Sequence, residues 1–141
     1  MTDQMIQASN LTKYYGEYLG IDDICFSVAP GETVGLLGTN GSGKTTTMRL
    51  LAGYMPPSSG TIRVAGFDMA THSLEARRHI GYMPESVALY ADMTVTASLE
   101  FFGRVRGMAS APLGRAVARV LETCGLAEYR GTLIGKLSKG Y

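Results

Sequence analysis

"GLLGTNGSGKTTTMRLLAG", residues 35–53, runs from an apolar stretch through three glycines and a lysine into a segment patterned like a helix. Gly38 to Thr45 fits G-x-x-x-x-G-K-[ST], with an expected strand over Thr33–Leu37 before it and an expected helix over Thr45–Ala52 after it, the context that gives the motif meaning. Glycines let a backbone wrap closely around an anion, so that successive N–H groups and a helix N-terminus point at its oxygens. The stretch therefore predicts a polyphosphate cradle. Gly38, Thr39, Asn40, Gly41, Ser42 and Gly43 form the loop, Lys44 reaches the β and γ phosphates, Thr45 ligates Mg²⁺ and Thr46 hydrogen-bonds to a phosphate. A merely structural glycine turn is the competing reading.

The surrounding composition fits one globular domain with a real core: 141 residues, 45% hydrophobic and 18% charged. No apolar run approaches the roughly 20 residues a membrane helix requires, and "MTDQMIQASN" at the start lacks the basic-then-apolar pattern of a secretion signal. Any membrane contact is expected to be peripheral. Cys25 and Cys124 lie far apart among apolar neighbours and read as buried and reduced. A net charge of +1 gives no field to gather nucleic acid, and none is expected as a partner. From residue 101 onward, seven basic residues (Arg104, Arg106, Arg115, Arg119, Arg130, Lys136, Lys139) face only Glu122 and Glu128. That imbalance reads first as a solvated helix face and second as a surface for an acidic partner.

Short strands are expected at 4–9, 20–28 and 32–37, punctuated by Gly16 and Pro30-Gly31. The helix after the glycine loop carries Met48, Leu51 and Ala52 on one face and stops at Gly53. A turn, a strand over Thr61–Ala65 and another turn follow, then a short helix at Ser73–Arg78 leading into a strand "HIGYMP" at 79–84. Beyond Asp92 the chain reads as mostly helical, with Val95, Leu99, Phe102 and Val105 at helical spacing, then Leu113, Val117, Val120, Leu121 and Cys124. "GMASAP" at 107–112 reads as a helix connection.

A glycine loop alone does not choose among kinases, GTPases and larger ATPases. The guanine-reading N-K-x-D is absent, which disfavours a GTPase. From "LTKYYG" at 11–16 through "IDDICFSVAPGETVGLLGTNGSGKTT" to "LSKGY" at 137–141, the chain resembles the nucleotide-binding domain of ABC (ATP-binding cassette) transporters. The resemblance implies an α/β P-loop NTPase fold of ABC-cassette type. Its parts are an N-terminal β-subdomain, a partial RecA-like core and a helical subdomain at about 92–136, flanked by a P-loop at 38–45, a Q-loop-like region at 80–86 and a signature at 137–141.

The same resemblance assigns roles. An aromatic before such a glycine stacks on adenine, which points to Tyr15, with Tyr14 beside it; packing within the small sheet is the alternative for both. "IGYMPE" at 80–85 is similar to the family's Q-loop, with Glu85 where a glutamine is usual; the likeness implies a catalytic and Mg²⁺-binding role there, against a solvated turn. "SVALYADMTVTASLEFF" matches the region where a helix of the membrane subunit docks, so Tyr90, Met93 and Phe102 line a groove or, for Phe102 especially, the core. "LSKGY" resembles the L-S-G-G-Q signature, with Lys139 and Tyr141 departing from it while Ser138 and Gly140 are kept to touch the γ-phosphate held by a second cassette.

The implied function is that of an ATP-binding subunit coupling ATP binding and hydrolysis to transport, with export of the ABC-2 type as the expected direction. Its partners are ATP, a second nucleotide-binding subunit and a transmembrane permease that holds it at the cytoplasmic face of the membrane. The family's Walker B carboxylates, D-loop and switch histidine have no counterpart in the sequence, and His72 and His79 precede the signature. The expectation is a truncated cassette that hydrolyses ATP slowly or not at all, with Thr33–Leu37 deprived of a parallel neighbour. Alternatives are a soluble ABC-family module in nucleic-acid maintenance or translation, and a non-catalytic nucleotide-binding fragment.

Overall fold

The computed structural model describes residues 4–87 and 89–138. Strands β1 (Ile6–Tyr15) and β2 (Tyr18–Val28) form an antiparallel hairpin in which Tyr15 pairs with Tyr18. β3 (Ser59–Val64) pairs with the other side of β1, and the short β4 (Phe67–Asp68) with β3, giving the order β2-β1-β3-β4, antiparallel throughout. Both hairpin strands run further than their apolar patterns predict. The reason is a bulge: Asn10 and Asp23 have φ of 49° and 46°, joined by Asn10 Nδ2 donating to Asp23 Oδ1 at 2.7 Å. The resulting register shift puts Ala8 and Leu11, three positions apart, on the same buried side.

Helix α1 (Lys44–Leu51) and helix α2 (Ser73–Arg78) complete the first unit, which extends to Met83. Its core joins Ala8, Leu11 and Ile21 of the hairpin to Leu50 of α1, Ile62 and Val64 of β3, Met69, and Ala76 of α2. Leu50 is fully buried, worth roughly 1.5–3 kcal/mol relative to exposure. The buried face of α1 is not the expected one. Thr47 and Leu50 point inward while Met48 is exposed, because the Thr47 hydroxyl satisfies itself on the Gly43 carbonyl at 3.0 Å and so can be buried without loss.

Two expected strands are corrected. Residues 33–37 and 79–84 have no strand ladder. Among the described residues nothing pairs with 33–37, and its apolar side chains face outward, Leu37 being 93% exposed. Strand structure needs a neighbour to accept its N–H and C=O groups, and an apolar run alone does not supply one.

The second unit begins at Pro84. Helices α3 (Val95–Val105) and α4 (Ser110–Thr123) pack around Val95, Leu113, Val117 and Leu121, with Leu99, Leu126, Tyr129, Ile134 and Leu137 closing the cluster. α3 starts where the Thr94 hydroxyl accepts from Ala97 N at 3.2 Å, an N-cap. Gly103 lies directly against Leu113, so the buried seam of α3 runs Val95–Leu99–Gly103. Phe102, expected in the core, sits one position off that seam and is 41% exposed. The same reasoning corrects α4: Leu113, Val117 and Leu121 recur every fourth position, leaving Val120 and Cys124 outside. Cys25 is exposed too, on the edge strand β2, where its Sγ accepts from Asn10 N at 3.0 Å. Both cysteines are free thiols. No helix of the described residues is long and apolar enough to cross a membrane.

Candidate functional site

The loop from Gly38 to Gly43 closes on itself. Ser42 N donates to Thr39 O at 3.2 Å, with Gly41 at φ 83° and Gly43 at φ 87°, a region that side-chain-bearing residues avoid. Gly43 is doubly constrained, since a Cβ there would collide with the Ile21 side chain and lie 3.0 Å from Gly20 O. The loop is thus pressed against the second strand of the hairpin, and only a bare backbone fits.

Gly43 is also the N-cap of α1, and no side chain caps that end. The first turn's N–H groups, at Lys44, Thr45 and Thr46, have no partner within the helix by its geometry. A helix start of this kind, with amide donors and the positive end of the helix dipole together, suits an anion chemically. The Lys44 ammonium crosses the loop and donates to Gly38 O and Thr39 O, both at 2.7 Å. It sits where the loop's own carbonyls hold it, at the mouth of the same turn. Thr45 is exposed at the helix start, presenting a hydroxyl oxygen of the hard type that Mg²⁺ takes alongside phosphate and water oxygens. Among the described residues no group of three or more His, Cys, Asp or Glu side chains is placed to hold a metal. An ion that keeps most of its oxygens from phosphate and water would fit this surface better than one that needs a cage of protein carboxylates.

Tyr15, at the end of β1, reaches the same helix. Its Oη lies 3.3 Å from Thr46 Oγ1 and 3.3 Å from Met55 Sδ. The Lys13 ammonium stands 5.8 Å from the ring centroid while donating to Pro56 O at 2.8 Å. Gly20 borders the ring so closely that a Cβ there would lie 2.9 Å from it. Tyr14 turns away, its amide donating to Ser58 Oγ at 2.9 Å. Sequence reading named Tyr15 and the loop, and did not name Gly20, Lys13 and Met55, which the structure places around the tyrosine side chain. Of these, Gly20 had a signal: it sits across a tight hairpin from the tyrosine, where a glycine inside a strand marks close approach.

Glu85 and Ser138 are exposed residues of the second unit, and Gly140 lies outside the described residues, as do Lys139 and Tyr141. A groove of about 380 Å³ in the first unit opens between Tyr54–Pro57 and Asp68–Ser73, away from the glycine loop. Asp68 lines it, its Oδ1 accepting from Ala70 N at 2.8 Å and Thr71 N at 3.2 Å. Those two amides hold the Asp68 pKa below its usual value.

The profile of the ABC transporter family matches residues 21–141. The chain is 36% identical over 139 residues to the probable multidrug ABC transporter ATP-binding protein YbhF of Escherichia coli, covering 99% of this chain and 24% of that one. It is 38% identical over 136 residues to the linearmycin resistance ATP-binding protein LnrL of Bacillus subtilis, covering 96% and 44%. A Nod factor export ATP-binding protein I of Paraburkholderia xenovorans is 39% identical over 140 residues, covering 99% and 46%. A solved structure described as an ATP binding subunit of an ABC transporter superposes with a TM-score of 0.81 at 29% identity, covering 96% of this chain and 56% of that one. The chain thus spans between about a quarter and just under half of the length of these curated relatives.

Proposed function

The chain belongs to the ABC transporter family, and on that premise we propose that it is the nucleotide-gripping portion of an ATP-binding subunit serving an exporter. The observation that carries this reading is the uncapped, glycine-led start of α1, with Lys44 poised over it. Gly38 to Gly43 surround the triphosphate with backbone donors, and the α1 N-terminus faces its charge. Lys44 exchanges its two carbonyl partners for the β and γ phosphates, a charge-assisted replacement for neutral acceptors. Thr46 donates to a phosphate oxygen, and Tyr15 offers its ring to adenine.

Mg²⁺, when bound, neutralises the phosphates and polarises the transferring group. Thr45 would hold it through its hydroxyl oxygen, and Glu85 is assigned, on the likeness of its segment to the family's Q-loop, a metal-binding and catalytic role in the whole cassette. Ser138 and Gly140 are assigned to the γ-phosphate held by a second cassette, so that nucleotide closes a dimer. The cassette is read as cytoplasmic, held at the membrane by a permease. The second unit supports the permease contact with an exposed aromatic run. Tyr90 and Phe101 meet edge-on at 5.6 Å, and Phe101 and Phe102 at 5.3 Å, while all three remain exposed. Export agrees with relatives named for multidrug transport, linearmycin resistance and Nod factor export. ATP hydrolysis is the proposed activity of the whole cassette.

Thermal unfolding with and without MgATP tests the grip. A ligand at 100 times its Kd stabilises by about 2.7 kcal/mol, a readable rise in Tm. Lys44→Ala is expected to abolish the rise. No MgATP-dependent shift in the unmutated chain would overturn the nucleotide reading.

A further inference from the structure

We propose that the Tyr15 hydroxyl is wired to the phosphate cradle through Thr46, so that Tyr15 helps to bind the phosphates as well as the base. The inference rests on the nucleotide reading above and concerns an atom that stacking does not use. Stacking needs only the ring, yet the hydroxyl is held at 3.3 Å from Thr46 Oγ1, on the first turn of the helix that faces the phosphates. The ring is fixed for this purpose from more than one direction. Gly20 leaves room for its edge, and Lys13 stands over it while anchored to Pro56 O at 2.8 Å.

The hydrogens balance without any heavy atom moving. Each hydroxyl has one hydrogen and can accept. In the free chain the single Tyr15 hydroxyl hydrogen goes to Met55 Sδ at 3.3 Å, which leaves the Thr46 hydroxyl as the donor across the 3.3 Å to Tyr15 Oη. When a phosphate oxygen arrives beside Thr46, the Thr46 hydrogen turns to it. The Tyr15 hydrogen then leaves the weak thioether acceptor for Thr46 Oγ1. The threonine becomes a better donor because it is itself accepting, the mutual polarisation expected of hydrogen-bond chains. Met55 serves as the resting acceptor, which spares the tyrosine an unpaired hydroxyl while the cradle is empty.

The test separates the hydroxyl from the ring by using a ligand without a base. Binding of magnesium tripolyphosphate and of MgATP is measured by calorimetry for the full chain, Tyr15→Phe, Thr46→Val and the double variant. Tyr15→Phe is expected to weaken tripolyphosphate by roughly 3–10-fold, the range of one net hydrogen bond, although there is nothing to stack. In the Thr46→Val background the same change is expected to have no further effect, whereas independent or purely structural damage would multiply. Thr46→Ser, which keeps the hydroxyl, should restore both the affinity and its sensitivity to Tyr15→Phe. An unchanged tripolyphosphate affinity in Tyr15→Phe, or losses that multiply in the double variant, would overturn the wiring and leave the phosphate grip intact. If the unmutated chain bound neither ligand, the nucleotide reading itself would fall and the wiring with it.

Discussion

Replacing Gly43 by alanine tests whether the loop's shape is dictated by close contact or only by backbone preference. At φ 87° a side-chain-bearing residue carries a strain of about 1–2 kcal/mol. The added Cβ also meets the Ile21 side chain and stands 3.0 Å from Gly20 O, a backbone atom of the hairpin that cannot swing aside. Overpacking of that kind adds about 1–3 kcal/mol, for a total of about 2–5 kcal/mol. In a chain of this size each kcal/mol lowers Tm by roughly 3–5 °C, so Gly43→Ala should lose about 6–25 °C. Gly41 supplies the internal control: its φ is 83°, nearly the same, but a Cβ there has nothing within 4 Å. Gly41→Ala should bear only the strain and lose on the order of 3–10 °C. Both are read by circular dichroism melts of the ligand-free chain. Equal losses at the two positions would refute the claim that the hairpin presses the loop into place.

Two further outcomes follow from local geometry. The Asp68 pKa is depressed by the Ala70 and Thr71 amides, so the carboxylate stabilises the fold above the ordinary carboxylate pKa. That contribution should fade as pH falls below ~4 and through the lowered value. Melts from pH 6 to pH 2.5 should show a shallower acid decline in Asp68→Asn, and identical slopes would discount these hydrogen bonds. In the second unit, Thr94→Ala removes the acceptor for Ala97 N and should lower stability by about 1 kcal/mol, measured by urea unfolding, while Thr94→Ser should keep most of it.

The elements legible in the sequence were those specified by local chemistry. Ser73–Arg78 forms the helix its pattern predicts, and α1 begins at Lys44, one residue before the expected start. Gly16 and Gly31 take the positive φ their turns require. Elements that depend on a neighbour were not legible. The apolar run at 33–37 looks like a strand, but a ladder is a property of two segments, and no described segment pairs with it. The length of β1 was hidden because the Asn10–Asp23 bulge breaks the alternation that marks a strand. Helix existence was plain in α3 and α4, yet the choice of face turned on Gly103. An apolar periodicity count ignores a glycine, although its missing side chain lets Leu113 approach and rotates the seam away from Phe102. At the candidate site, the loop residues were readable as a motif, whereas Lys13, Gly20 and Met55 act through a hairpin and a turn that bring distant positions to one ring.

The carbonyls of Gly38 and Thr39 give the Lys44 ammonium a home position. On the proposed reading an incoming nucleotide never encounters a bare cation, so its measured affinity is a difference between two sets of acceptors. The attraction between lysine and phosphate can then be large without making occupancy permanent, since departure of the anion returns the side chain to acceptors already in reach. A cradle built this way is suited to repeated filling and emptying.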